Sequence, residues 1–148
     1  MRLKRAFDIC IAGALLVALS PLLALIAAII KATSPGPVLY VRERIGKNGV
    51  AFPFYKYRTM EDGAERRGLG INTAKDDARI TAIGRFLRRW SLDELPQLLN
   101  VVRGEMSLVG PRPSLPEQVA RYTSEQRRRL EAAPGITGWA QVNGRNAI

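Results

Sequence analysis

The sequence has no histidine, a single cysteine and few acids: 13 Asp plus Glu against 23 Lys plus Arg, a formal net charge of +10 over 148 residues. Without histidine there is no Ser-His triad, no imidazole acid or base at neutral pH and little basis for a zinc site. Any proton, nucleophile or metal chemistry falls to carboxylates. Cys10 lies inside an apolar run, so no intramolecular disulfide forms and nothing argues for an oxidising compartment. The shortage of acid suits polyanionic partners, meaning anionic lipid headgroups, a phosphorylated small molecule or nucleic acid. Nucleic acid lacks support, because no aromatic-basic motif or recognition helix is present.

What the sequence does have is residues 9–30, apolar and without a charged side chain, broken by Ser20-Pro21. As one straight helix the run reaches about 33 Å, enough for a hydrocarbon core of about 30 Å. Pro21 has no N–H for the Val17 carbonyl and its ring crowds that turn, so a sharp bend is expected. Each arm is then about eleven residues, or about 16 Å, and the segment is able to enter the bilayer and leave by the same face. Ser20 is near enough in sequence to serve the freed carbonyl. Arg2, Lys4 and Arg5 precede the run and Lys31, Arg42, Arg44 and Lys47 follow it, so both flanks favour the cytoplasmic side. An ordinary spanning helix with a tolerated proline fits the same residues, and a cleaved signal peptide fits them less well because the apolar stretch is long.

After Ser34-Pro35-Gly36-Pro37, residues 38–44 read as a strand, Lys47-Asn48-Gly49 as a tight turn, and 50–59 as a return strand on which Pro53 implies an edge. Residues 61–79 read as a polar, mobile loop. Ile83, Phe86, Leu87 and Trp90 then form a helical stripe with Arg85, Arg88 and Arg89 off it, a pattern that suits either an anionic membrane surface or a soluble core. Leu95, Leu98, Leu99 and Val102 make a second helix closed by Gly104, and 124–132 a basic third one ended by Pro134-Gly135. The class is α+β: a mostly helical small domain with a β-hairpin at 34–148, preceded by a membrane helix at 1–33 broken at Ser20-Pro21. About 115 residues leave room for only one such domain.

The candidate chemistry centres on Asp93 and Glu94, just before Leu95-Pro96. Proline is accepted in a first helical turn, so both acids lie at a helix start, whose partial positive charge attracts phosphate. A carboxylate kept ionised there suits a nucleophile, and its neighbour suits Mg2+ through hard oxygen. The same spacing also fits plain capping, with Asp93 as N-cap or Ser91 and Glu94 as a capping box. Asp76-Asp77 is a weaker acidic pair, in a loop with no helix start. Arg88, Arg112 and Arg145 are candidate phosphate ligands, Arg112 best placed between two prolines and beside Gly110. Lys56 and Arg58 share a strand face at i and i+2, which is either a phosphate surface or the wet side of the hairpin. Trp139 either anchors at a membrane interface or packs.

Several stretches together resemble the bacterial sugar transferases, monotopic phosphoglycosyl transferases. They are Lys4-Arg5-Ala6-Phe7-Asp8, the Ser20-Pro21 break, Tyr55-Lys56-Tyr57-Arg58-Thr59-Met60, Ser91-Leu92-Asp93-Glu94-Leu95-Pro96-Gln97-Leu98, Met106-Ser107-Leu108-Val109-Gly110-Pro111-Arg112-Pro113, and the run from Pro134-Gly135-Ile136-Thr137-Gly138-Trp139 through Ala140-Gln141-Val142-Asn143-Gly144-Arg145-Asn146. They run nearly end to end.

The resemblance implies transfer of a phosphosugar from a UDP-sugar to a polyprenyl (undecaprenyl) phosphate at the cytoplasmic face of the bacterial inner membrane, the first membrane step of glycoconjugate synthesis. It implies a re-entrant helix, Asp93 as nucleophile toward the sugar-bearing phosphate with release of UMP, and Mg2+ held by Glu94 beside Asp93. UDP-sugar, polyprenyl phosphate and anionic lipids are then the expected partners, and nucleic acid is not. Family members usually continue past the Asn143 to Asn146 stretch, whereas this sequence stops at Ile148. That departure keeps open a minimal member, a fragment or a trimmed chain, and with it a rival reading: an inactive membrane-anchored module that binds UDP-sugar or polyprenyl phosphate without turnover.

Overall fold

The computed structural model describes residues 2–68, 70 and 77–143. The chain forms two compact units, one of residues 1–18, 41–55 and 96–148, the other of residues 19–40 and 56–95. Helices and small sheets make it an α+β protein.

The apolar run is two helices, α1 (Arg2–Ala18) and α2 (Ser20–Thr33), bent by 61° at Leu19. The break falls so that Pro21 occupies the first turn of α2, where its missing N–H costs nothing, instead of kinking one continuous helix. Among the described residues no single helix is long and apolar enough to cross a membrane.

A hairpin follows, with β1 (Leu39–Ile45) paired to β2 (Ala51–Tyr57). The turn is the expected one: Asn48 (φ +56°) and Gly49 (φ +79°) are left-handed, a conformation Asn and Gly accept best, and the Gly46 N–H donates to the Val50 carbonyl at 2.8 Å.

In the first unit α1 packs on α4 (Gln97–Arg103). The Arg5 guanidinium donates to the Val101 and Val102 carbonyls (2.9 Å to the latter), which lie in the last turn of α4. The helix closes at Gly104, φ +96°, so Arg5 and the left-handed glycine together satisfy carbonyls that a helix end leaves open. Asp8, buried on α1, accepts from Lys4 Nζ at 3.1 Å, Ser107 Oγ at 2.8 Å and the Leu108 N–H at 3.3 Å. Asn100, fully buried, accepts the Tyr55 N–H and donates to the Pro53 carbonyl at 2.7 Å, tying the proline-bearing strand to α4.

Residues 107–109 and 135–137 form strands too short for periodicity to reveal. β3 (Ser107–Val109) lies parallel to β4 (Gly135–Thr137), with Ser107 opposite Gly135 and Val109 opposite Thr137. Beyond them backbone meets backbone: a Cβ on Gly110 would stand 2.2 Å from the Ala133 carbonyl oxygen, and one on Gly135 2.0 Å from the Gly110 nitrogen. Among the described residues this unit also holds three one-turn helices, α5 (Pro116–Val119), α6 (Ser124–Arg127) and α7 (Trp139–Val142). The expected third helix over 124–132 is α6 continued by a 3-10 turn, Arg128–Glu131.

In the second unit α2 packs on α3 (Ala82–Arg89) through a core of Ile26, Ile30, Tyr57 and Leu87, flanked by Leu23, Ile83 and Leu92. The sequence stripe proves rotated. Ile83 and Leu87 face inward as expected, but Phe86 is 51 % and Trp90 63 % exposed. The reason is Gly84: a Cβ there would lie 2.0 Å from the Thr59 carbonyl oxygen, so α3 sits with its glycine against the backbone leaving β2, and that rotation carries the two aromatics outward. Thr81 caps α3, its side chain accepting the Gly84 N–H at 3.0 Å.

The described part of the 61–79 loop is tied down. Arg79 Nη1 donates to the Ala64, Arg67 and Gly70 carbonyls at 2.6–2.8 Å, while Nε and Nη2 grip Asp77 at 2.9 and 2.6 Å. Asp76 lies outside the described residues.

Candidate active site

Asp93 and Glu94 lie in a single 3-10 turn, Leu92–Glu94, rather than in the first turn of an α-helix; α4 starts only at Gln97. The turn is set by Ser91, which follows the α3 C-cap Trp90 in the left-handed region at φ +57°, a conformation costing a non-glycine residue about 1 kcal/mol. The reversal turns both acids inward, to 6 % and 5 % exposure. The capping arrangement that the spacing allows is absent, for Ser91 makes no side-chain cap bond.

Buried carboxylates need a cation. It comes from Lys56 on β2, whose Nζ is 3.0 Å from Glu94 Oε1 and 3.7 Å from Asp93 Oδ2. Arg88, half-buried on α3, is the second cation: its Nε donates to Thr59 Oγ1 at 2.8 Å. Burial pushes the Asp93 carboxyl above the usual carboxylate range; Lys56 opposes that push, Glu94 adds to it and Arg88 opposes it. Burial also lowers the pKa of Arg88, with Asp93 and Asp77 pulling it back up.

Of the residues singled out from the sequence, the second unit brings Lys56, Arg88, Asp93 and Glu94 together. Arg58, in the same unit, is buried and gives its Nη groups to the Ser34 carbonyl (2.8 Å) and the Pro35 carbonyl, behind the end of α2. Arg112 belongs to the first unit, where its carbonyl accepts from Arg129 at 3.2 Å and its residue lines a small pocket with Arg129, Ile45, Ser114 and Pro134. Arg145 lies outside the described residues. One contributor was not read from the sequence as a site residue: Thr59 holds Arg88 from beyond the end of β2, where strand alternation no longer points to a face. Asp77, half of the weaker acidic pair, acts on Arg88 from the loop.

No three or more His, Cys, Asp or Glu side chains converge as a metal cage among the described residues. Asp93 and Glu94 do supply what Mg2+ commonly takes, one or two carboxylates completed by substrate phosphate oxygens, so the residues present fit that ion. The chemistry open to the cluster is nucleophilic attack by a carboxylate on a phosphate that two cations attract.

The family model described as bacterial sugar transferase matches residues 1–148. The chain is 47 % identical over 148 residues to the uncharacterized sugar transferase EpsL of Bacillus subtilis (strain 168), covering 100 % of this chain and 72 % of that protein. It is 48 % identical over 147 residues to the undecaprenyl-phosphate glucose phosphotransferase of Komagataeibacter xylinus, covering 95 % of this chain and 28 % of that one. To the UDP-glucose:undecaprenyl-phosphate glucose-1-phosphate transferase of Escherichia coli (strain K12) it is 44 % identical over 145 residues, covering 96 % and 31 %. It thus spans most of one relative and about a third of the other two, and a match over its full length shows that the chain belongs to the bacterial sugar transferase family.

Proposed function

We propose that the chain carries the phosphoglycosyl transfer chemistry of its family, moving a sugar phosphate from a UDP-sugar to a polyprenyl phosphate through a covalent intermediate on Asp93. The observation that carries the reading is the buried Asp93–Glu94 pair with Lys56 Nζ 3.7 Å from the first and 3.0 Å from the second, in the unit where Thr59 holds Arg88. The names of the Komagataeibacter and Escherichia relatives, which specify undecaprenyl phosphate as acceptor and in one case UDP-glucose as donor, support the substrate class.

In the first step an Asp93 carboxylate oxygen forms a bond to the sugar-bearing phosphorus. The bond from that phosphorus to the bridging oxygen breaks, and UMP leaves with the electron pair. In the second step an oxygen of the polyprenyl phosphate attacks the same phosphorus and Asp93 departs as carboxylate, giving a polyprenyl diphosphate sugar. Lys56 keeps Asp93 ionised against the cost of its burial and steadies Glu94. Arg88, fixed at Nε by Thr59, directs its Nη groups to phosphate oxygens, where a guanidinium makes a two-point contact. Glu94, with Asp93, is the site for Mg2+, which when bound neutralises diphosphate charge.

The same reading embeds residues 1–33 in the cytoplasmic face of the inner membrane, entering and leaving by one side. The bend at Leu19, the apolar arms and the basic flanks support it. Protein reconstituted in lipid with Mg2+ and a panel of UDP-sugars is expected to release UMP. Binding of UDP-sugar without UMP from any donor would instead identify a binding module.

A further inference from the structure

Four consecutive residues, from the end of β2 to just past it, divide their side chains between two directions. Lys56 lies against Glu94 and Asp93, and Thr59 holds Arg88. The two residues between them, Tyr57 and Arg58, reach α2 instead. The Tyr57 ring is buried with Ile26, Ile30 and Leu87, and its hydroxyl donates to the Leu23 carbonyl, in the first turn of α2, at 2.8 Å. Arg58 is buried as well, and donates to the Ser34 carbonyl at 2.8 Å and to the Pro35 carbonyl, just past the last turn.

Leu23 and Ser34 stand about 16 Å apart along the helix. Two neighbouring residues therefore grip α2 near both ends, which fixes their segment in position and in angle; a single anchor would leave it free to swing. The sequence prepares the far anchor. At Gly36, φ +108°, a Cβ would stand 2.7 Å from Arg58 Nη1, so the Ser34-Pro35-Gly36-Pro37 run ends the helix and also leaves a seat for the guanidinium. Burying that charge against backbone carbonyls costs it its hydration, and what the arrangement secures is aim. Lys56 carries its own charge on a flexible four-carbon stem, and a misplacement of about 1 Å at a reacting centre is enough to lower a rate about a hundredfold.

We propose that Tyr57 and Arg58 are positioning residues, a clamp on α2 that holds Lys56 against the two carboxylates and Thr59 against Arg88. The inference rests on the transfer reading and deepens it, because through this clamp the apolar arm α2 sets the charge geometry of the acidic pair.

The test uses the full chain with Mg2+ and the UDP-sugar that releases most UMP, and reads kinetics in lipid and denaturant stability in detergent separately. Tyr57→Phe is expected to lower kcat by up to about tenfold, as loss of a neutral hydrogen bond does, and Arg58→Gln by about ten- to a hundredfold. KM for UDP-sugar is expected to hold in both. Arg58→Lys is expected to recover part of the loss, since an ammonium lacks the fork that meets two carbonyls. In a Lys56→Met background the losses are expected to shrink, because the group being aimed is gone. Stability reads the clamp without turnover: Arg58→Gln and Glu94→Gln, whose side chains bond to different groups, are expected to destabilise less together than the sum of the two. If Arg58→Gln does not fold, Tyr57→Phe with Glu94→Gln repeats the cycle. Additive stabilities, or kcat losses undiminished without Lys56, would mean that the two residues only pack and would overturn the clamp. A raised KM with kcat retained in Arg58→Lys would make Arg58 a substrate ligand and would overturn it too. Coupled stabilities in a parent chain that releases no UMP from any donor would uphold the clamp and sink the transfer reading instead.

Discussion

Replacing Lys56 by methionine removes the cation shared by Asp93 and Glu94 while keeping most of the side chain's length. Its Nζ lies 3.0 Å from one carboxylate and 3.7 Å from the other, and all three side chains are less than one-fifth exposed. Removing one partner of a buried ion pair typically costs about 3–5 kcal/mol, because the charge left behind is uncompensated; Arg88, which also attracts Asp93, keeps the expected loss toward the lower end. The sign with pH follows from Asp93. Its folded-state pKa is already raised by burial, so the folded protein holds that proton more tightly than the unfolded chain. Stability from this group therefore falls as pH rises from the ordinary value of 3.8 to the folded value, and is level above it. Loss of Lys56 raises the folded value further, so Lys56→Met is expected to be most destabilised at neutral and alkaline pH and to recover part of the difference on acidification. The acidic limb of its kcat/KM profile is expected to move to higher pH, as the nucleophile must be ionised, whereas Glu94→Gln moves the limb of any residual activity the other way. Denaturant titration in detergent and UMP release across pH measure the two effects. An unmoved limb in Lys56→Met, or one displaced to lower pH, would refute the electrostatic role assigned to this lysine.

Thr59→Val keeps shape and removes the acceptor for Arg88 Nε at 2.8 Å. Losing a hydrogen bond to a charged group costs about 1.5–3 kcal/mol, so kcat/KM for UDP-sugar should fall roughly ten- to a hundredfold and Thr59→Ser should restore most of it; equal values for the Val and Ser variants would show that the hydroxyl does not position Arg88. Gly84→Ala places a methyl 2.0 Å from the Thr59 carbonyl oxygen, and overpacking of this kind costs about 1–3 kcal/mol; an alanine variant as stable as the parent in denaturant titration would contradict the close approach. Single cysteines at Arg2 and at Ala32, both exposed, in a Cys10→Ser background should react with an impermeant thiol reagent from the cytoplasmic side alone if the segment re-enters, and from opposite sides if it spans.

What the sequence reveals follows how local each feature is. The Asn48-Gly49 turn and the end of α4 at Gly104 are fixed by residues inside their own turns, and both form where expected. The break beside Pro21 was legible for the same reason. The orientation of α3 was not, because hydrophobic period alone ranks Phe86 and Trp90 with Ile83 and Leu87, and what decides the face is Gly84 against Thr59, a contact 25 residues distant in the chain. β3 and β4 are three residues each, shorter than any period, and are held by close contact of glycine backbones. At the site, the adjacency of Asp93 and Glu94 is visible in sequence. Their surroundings are not, since Lys56 and Thr59 come from more than 25 residues away, and a guanidinium such as Arg58 reads the same whether it meets a ligand or two backbone carbonyls.

The central claim is the covalent step at Asp93, and trapping measures it most directly. The reconstituted protein is mixed with Mg2+ and a UDP-sugar radiolabelled in the sugar, without polyprenyl phosphate, then denatured, digested and mapped. The account predicts one equivalent of UMP at most per protein and label retained on the peptide that contains Asp93, with neither seen for Asp93→Asn although it still binds the donor. Turnover on addition of polyprenyl phosphate, with no label ever retained and no UMP formed before the acceptor is present, would mean direct transfer between the two substrates and would contradict it.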